Sequence, residues 1–214
     1  MLVVKYKKTD AACYVSHIDT LRTVGRIFGR ANFEVNYSEG FNPHMLTFFS
    51  PPNAVGVESL CEYVAVSAKY ADDFLQRFND NAPAGFVAEK LWQFCKNPNL
   101  AKEINSAEFL FKCKGIGKFD LQKLIDATEF IVEYKDKNGV KQKDYKNYVL
   151  SLEVADDDTI KAKLKFGNEN LRPDRFLSGF QKFFDLPKQD CKITKTQVFV
   201  NEKTADDFLN NFEK

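Results

Sequence analysis

The stretch 3–30, VVKYKKTDAACYVSHIDTLRTVGRIFGR, decides the fold. Residues 3–7 alternate in strand fashion. Ser16 then stands three residues before Asp19, a capping-box-like start. From there the apolar positions recur at helical spacing to about Arg30. On a wheel of about 100° per residue, Leu21, Val24, Gly25, Phe28 and Ala31 share one face, which is expected to pack on a sheet. His17 falls near the middle of that face, in the first turn, and is expected to point at the sheet.

Working outward, Asn32 and Asn36 flank a short strand, the loop 37–44 follows, and 45–49 and 62–67 read as strands. Helical spacing over 71–79 puts Phe74, Leu75 and Phe78 on one face, and 86–94 is a further strand. The segment 96–105, with Asn97-Pro98-Asn99, is the linker candidate. The order then repeats: strand 108–114, helix 119–127, strands 130–134, 148–154 and 160–166, helix 173–184, strand 193–200 and a terminal helix 204–212. Pro173 suits a first helical turn and Thr204 an N-cap. The expected fold is α+β: two ferredoxin-like (split β-α-β) antiparallel sandwiches in tandem, the N-terminal domain over 1–96 and the C-terminal domain over 105–214.

Composition narrows the function classes. The 214 residues carry 31 Lys plus Arg against 30 Asp plus Glu, a net charge of +1. No global field therefore draws the chain to nucleic acid or an anionic membrane, and any basic surface must be local. No apolar run approaches a membrane span, and the first eight residues are too short and wrongly ordered for a signal peptide. The five cysteines are odd in number and never spaced C-x-x-C, which points to reduced thiols and a cytoplasmic protein. With two histidines in the chain, a closed zinc site is not expected. No C-x-x-x-C-x-x-C cluster motif and no phosphate-binding G-x-x-x-x-G-K-S/T loop is present, and Gly115-Ile116-Gly117 reads as a turn. No cofactor or metal is expected.

Four features carry chemistry. Arg22, Arg26 and Arg30 follow at i, i+4 and i+8, with Asp19 beside them. They form either a solvated face with local ion pairs or a short rail for a phosphate backbone or acidic partner. The loop Tyr37-Ser38-Glu39-Gly40-Phe41-Asn42-Pro43-His44 combines turn formers with functional side chains. It is either a demanding connection between strands or a rigid binding or active-site loop. Glu58 and Glu62 could join Asp19, His17 and His44 as oxygen and nitrogen metal ligands, although nothing in the sequence fixes their geometry. Residues 135–146 hold five lysines and two aspartates, locally +3, with a hairpin turn expected at Asn138-Gly139. Tyr134, Tyr145 and Tyr148 lie close enough to stack on bases if RNA binds there.

The run Tyr14-Val15-Ser16-His17-Ile18-Asp19, with Arg22, Arg26 and Arg30, the loop from Tyr37 to His44, then Val55-Gly56-Val57-Glu58-Ser59 and Glu62-Tyr63, resembles the radical SAM-linked domain of unknown function. The resemblance is densest over about residues 5–95. It implies an accessory role beside a separately encoded radical SAM protein, in an RNA context. Lys195 stands where the resemblance leads one to expect arginine, and is carried over as a contact residue. A more distant similarity, to the CRISPR repeat-RNA-processing endoribonucleases, implies metal-independent cleavage with His17 or His44 as the general base. Three functions are therefore expected in order: an RNA-binding accessory protein, an endoribonuclease, and a protein-protein adaptor for the radical SAM partner.

Overall fold

The computed structural model describes residues 1–137 and 139–213 of a mixed α+β chain. The chain divides into two units, Met1–Ile104 with Phe199–Lys214, and Asn105–Val198. In the first, β1 (Leu2–Lys8) leads to α1 (His17–Arg30), whose N-cap Ser16 accepts the Asp19 N–H at 3.2 Å. Then come β2 (Thr47–Phe49), β3 (Glu58–Val66), α2 (Phe74–Asn81), β4 (Phe86–Gln93) and the short α3 (Leu100–Glu103). The strands lie in the order β4-β1-β3-β2, each pair antiparallel. One face buries Leu2, Val4 and Tyr6 against Val24, Phe28 and Phe78 of the two helices. The strand expected between Asn32 and Asn36 is reduced to a single bridge, Val35 to Ala68.

The second unit contains β5 (Ser106–Lys112), α4 (Gln122–Asp126), β6 (Ile131–Asp136), β7 (Gly139–Asp144), β8 (Val149–Asp156), β9 (Thr159–Lys165), α5 (Pro173–Phe183) and β10 (Lys192–Val200). Its sheet runs β10-β5-β9-β8, while β6 and β7 pair only with each other. Asp136 stands opposite Gly139 in that pair, and Asn138 of the expected turn lies outside the described residues. Phe176 of α5 meets Phe111 at 4.9 Å and Phe130 at 5.9 Å between ring centroids. The β6 strand approaches α5 so closely at Gly179 that an added Cβ would stand 2.7 Å from Val132 Cγ2.

Two expectations need correction here. The helix expected over 119–127 is only α4, preceded by a 3-10 turn at Ile116–Lys118. The chain before it is fastened to the turn between β8 and β9: Gly117 N–H donates to Asp157 O at 3.0 Å and Cys113 N–H to Asp158 O at 2.9 Å. Secondly, Cys113 and Cys191 form a disulfide rather than remaining reduced. They are 78 residues apart in sequence, but β5 and β10 are neighbours, which brings their Cα atoms to 4.7 Å, inside the range a disulfide spans. Scattered spacing hid this pairing, and the bond removes the cysteine count as an argument for a reducing compartment. Cys13 and Cys61 are free and buried, and Cys95 is free and exposed. Among the described residues no helix is long and apolar enough to cross a membrane.

The tail also departs from the expected division at 96 and 105, because residues 199–214 cluster with the first unit. The β1 register sets Lys5 opposite Tyr63 of β3 on one side and Lys90 of β4 on the other. Strand alternation turns these three away from the helices. The helix α6 (Ala205–Asn210), capped by Thr204, supplies Asp206 to all of them. Its carboxylate accepts from Lys5 Nζ at 2.9 Å, Lys90 Nζ at 2.7 Å and the Tyr63 hydroxyl at 2.6 Å. Trp92 Nε1 donates to Asn210 Oδ1 at 2.8 Å, and Phe94 meets Phe212 edge-on at 5.3 Å. The tail thus covers the sheet face that the helices leave open.

Burial alone would raise the Asp206 carboxyl, but the hydrogen bonds from Lys90, Tyr63 and Lys5 outweigh it and hold the group below its ordinary value. A carboxylate depressed on folding stabilises the native state above its unfolded pKa, and the contribution is lost as pH falls through the lower folded value. Asp206→Asn keeps the shape but leaves the buried Lys5 ammonium without its anion. We expect it to lower stability by about 3 kcal/mol at neutral pH in urea titrations. The gap to the native sequence should close as both proteins are taken to acid pH. An equal gap at every pH would contradict this role.

Candidate functional site

The loop between α1 and β2 is closed on itself. Tyr37 bridges to Met45, and Ser38 N–H donates to His44 O at 2.9 Å. The His44 N–H returns to Ser38 Oγ at 3.1 Å, and that oxygen lies 2.8 Å from His44 Nδ1. Because Oγ already accepts the backbone N–H, its own hydrogen is available to Nδ1. The His44 ring itself is exposed. Gly40 has φ of +117°, a region closed to other side chains. The tip residue Phe41 is 106% exposed, so the closed ring holds a phenyl group entirely in solvent.

The base of this loop lies against α1. A Cβ added at Gly25 would stand 3.9 Å from Met45 Sδ, so the helix passes within contact of the residue that follows His44. Arg22 and Arg26 flank Gly25 in sequence and are exposed. The three arginines are not equivalent. Arg22 Nη1 pairs with Asp19 Oδ1 at 3.1 Å, and Arg30 Nη2 donates to Asn81 O at 2.6 Å. Among the described residues Arg26 has no hydrogen-bond or salt-bridge partner. The Ser16 hydroxyl first, and then Arg22, hold the Asp19 carboxyl below its ordinary value. The expected rail therefore reduces to Arg26, which among the described residues makes no hydrogen bond but whose charge also acts on Asp19, and Arg22, held by an exposed ion pair, an interaction weak enough to exchange.

His17 is exposed rather than buried. The wheel placed it on the packing face, but in the first turn the Phe49 ring meets it edge-on at 6.4 Å, and beneath it lies a polar notch. Tyr6, Lys8, Thr20, Asn53 and Glu62 line the notch with His17. Lys8 is buried and its Nζ donates to Val15 O at 2.6 Å. Burial, and then Glu62, push the Tyr6 phenol up. The notch has a volume of about 10 Å³, the threshold for a single water, so this is no pocket for a nucleotide or a small metabolite. Among the described residues no three His, Cys, Asp or Glu gather as a metal requires, so Glu58, Glu62, Asp19, His17 and His44 do not form a ligand set, although Glu62 and His17 line the same notch.

Sequence reasoning left Ile18 out of the candidate residues, and it is 60% exposed. Tyr14 and Val55 are exposed as well, with the Tyr14 ring beside Gly56, whose N–H donates to Cys13 O at 3.0 Å. The signal was present: Ile18 is four residues before Arg22, an apolar side chain on the polar face of the helix.

The second unit offers less. Lys195 is fully buried, its ammonium 4.9 Å from the centroid of the Phe166 ring, and so belongs to the core rather than to a contact surface. In the basic hairpin Tyr145 is buried, Lys143 lies over both Tyr145 and Tyr148, and Arg175 covers the Tyr134 ring at 3.9 Å. Lys146 donates to Leu124 O at 2.8 Å. The three tyrosines expected to stack on bases thus each have a cation over the ring, Lys143 or Arg175.

A family model described as an uncharacterized protein conserved in bacteria (DUF2344) matches residues 1–173. No curated protein matches the chain.

The ring closure makes Ser38 the residue that sets the loop. Ser38→Ala removes both hydrogen bonds to His44. We expect faster hydrogen exchange at 38–45, with global stability changed by less than about 1 kcal/mol because the loop is exposed. Unchanged exchange at His44 would mean that backbone pairing alone fixes the loop.

Proposed function

We propose that this chain, which belongs to the bacterial DUF2344 family, is an accessory RNA-binding protein that uses α1 and the loop 37–44 as its contact surface. One observation carries the reading: a loop closed by Ser38 and His44 holds Phe41 fully in solvent next to a helix bearing Arg22 and Arg26. A single exposed phenyl ring is ordinary on a protein surface; this one is singled out by its support, a closed loop whose base lies against α1, which leaves its face free to stack on a base. Arg22 and Arg26, on the helix against which the loop base lies, would supply the phosphate contacts.

The architecture supports the same placement. We infer a tandem ferredoxin-like fold from the shared strand order, fourth-first-third-second, in both units once the β6–β7 hairpin is set aside. In such folds an open sheet face can serve as an RNA platform through stacked aromatics. Here the first sheet's outer face is occupied by α6, and the second carries Glu108, Glu153 and Lys161 paired with one another. That leaves the helix and loop side. The resemblance to radical SAM-linked proteins supports a separate radical SAM enzyme as the system served, and a cytoplasmic setting goes with that.

A second reading has its own observation. His17 stands at the mouth of a notch that also holds Lys8 and Tyr6, a base with potential proton donors nearby, as a metal-independent endoribonuclease would need. It predicts cleavage with a 2′,3′-cyclic phosphate product that His17→Ala abolishes.

The test is anisotropy of labelled RNA over a salt series, with integrity read on a denaturing gel. Arg22→Ala with Arg26→Ala is expected to weaken binding about tenfold at moderate salt and to lower the slope of log affinity on log salt by about 1.4. Unchanged affinity would place the RNA surface elsewhere. No RNA binding, together with nuclease-resistant co-purification of a radical SAM protein, would favour the adaptor.

A further inference from the structure

We propose that this surface selects single-stranded RNA, with one unpaired base stacked on Phe41 and the neighbouring phosphates held by Arg26 and Arg22. The inference rests on the RNA reading above and narrows it to a substrate class.

A phenyl ring offers only a face and an edge, with no donor or acceptor to read a groove. In a duplex every interior base face is already stacked, and a protein meets backbone and groove edges instead. A ring held wholly in solvent at a loop tip therefore gains most from a base free of its own neighbours. The loop is built to keep the ring there. Ser38 and His44 close its base through three hydrogen bonds, and Gly40, at φ of +117°, turns the chain directly before Phe41. A flexible tip would lose part of the stacking gain to ordering on binding.

The cations are matched in extent. Arg22 and Arg26 are one turn apart, about 6 Å along the helix axis, comparable with the step between adjacent phosphates of a strand. Met45 fixes the loop base against the helix at Gly25, between them in sequence. Arg30, the next in the row, is already bonded to Asn81 O and ends the track. Two phosphates and one base make a footprint of two or three nucleotides. That is too short to follow a duplex groove, but it suits a loop, a bulge or a strand end.

The experiment compares one labelled 12-nucleotide strand, free and annealed to its complement, against the native protein, Phe41→Ala, Phe41→Tyr and Arg26→Ala. Phe41 touches no core, and circular dichroism checks that each variant is folded. We expect the free strand to bind at least tenfold tighter than the duplex at equal salt. Phe41→Ala should lose about tenfold on the free strand with an unchanged salt slope, while Phe41→Tyr keeps native affinity. Arg26→Ala should weaken both forms and lower the free-strand salt slope by about 0.7. Equal binding of strand and duplex, or a Phe41→Ala variant with the native ratio, overturns single-strand selection and leaves RNA binding standing. No binding of either form at the lowest salt removes the RNA reading itself.

Discussion

The Asp206 carboxylate is the contact on which the first unit depends. It gathers Lys5, Tyr63 and Lys90 from three adjacent strands on one sheet face, and only 13% of its own side chain is exposed. Any member left alone there would be a poorly hydrated charge or hydroxyl. By anchoring α6, the cluster closes a face that a two-layer unit would otherwise show to solvent. The first unit therefore combines residues 1–104 with residues 199–214, a segment about a hundred residues further along the chain. That segment also covers one sheet face, which is one reason the proposed RNA surface is placed on the helices and loops.

Much of this was legible in the sequence and some was not, for reasons that differ by residue. The strand at Leu2–Lys8, the Ser16 cap and the helix to Arg30 announce themselves through periodicity and capping chemistry, which are local. The attachment of α6 and the Cys113–Cys191 bond depend on residues 201 and 78 positions apart, and nothing local encodes either. The shortened α4 reflects tertiary override: Gly117 packs so tightly on the Asp156 carbonyl that the chain is bound to that turn before a helix can begin. His17 shows the limit of a wheel, which assigns a face but not what lies opposite it. Over the middle of the sheet that face meets Val4 and Tyr6, whereas at the first turn it meets a notch.

The candidate loop was legible in composition but not in geometry. Turn formers marked it as rigid, and the structure adds the Ser38–His44 closure at its base and an exposed Phe41 after the Gly40 turn. The arginines read as three equal contacts, and the ion pair to Asp19 and the bond to Asn81 divide them into three different groups. The basic hairpin read as a second contact, but Lys143 lies over Tyr145 and Tyr148, and Lys146 is bonded to Leu124 O. Local net charge counts residues without regard to what already engages them.

The central claim is that RNA meets α1 and the loop 37–44. Amide chemical-shift mapping of the full chain during titration with a short RNA tests it most directly. The account predicts shifts concentrated at 17–30 and 37–45, with the Phe41 and His44 amides among the most perturbed. Shifts confined to the hairpin 131–144, or spread over the sheet residues around Asp206, would contradict it.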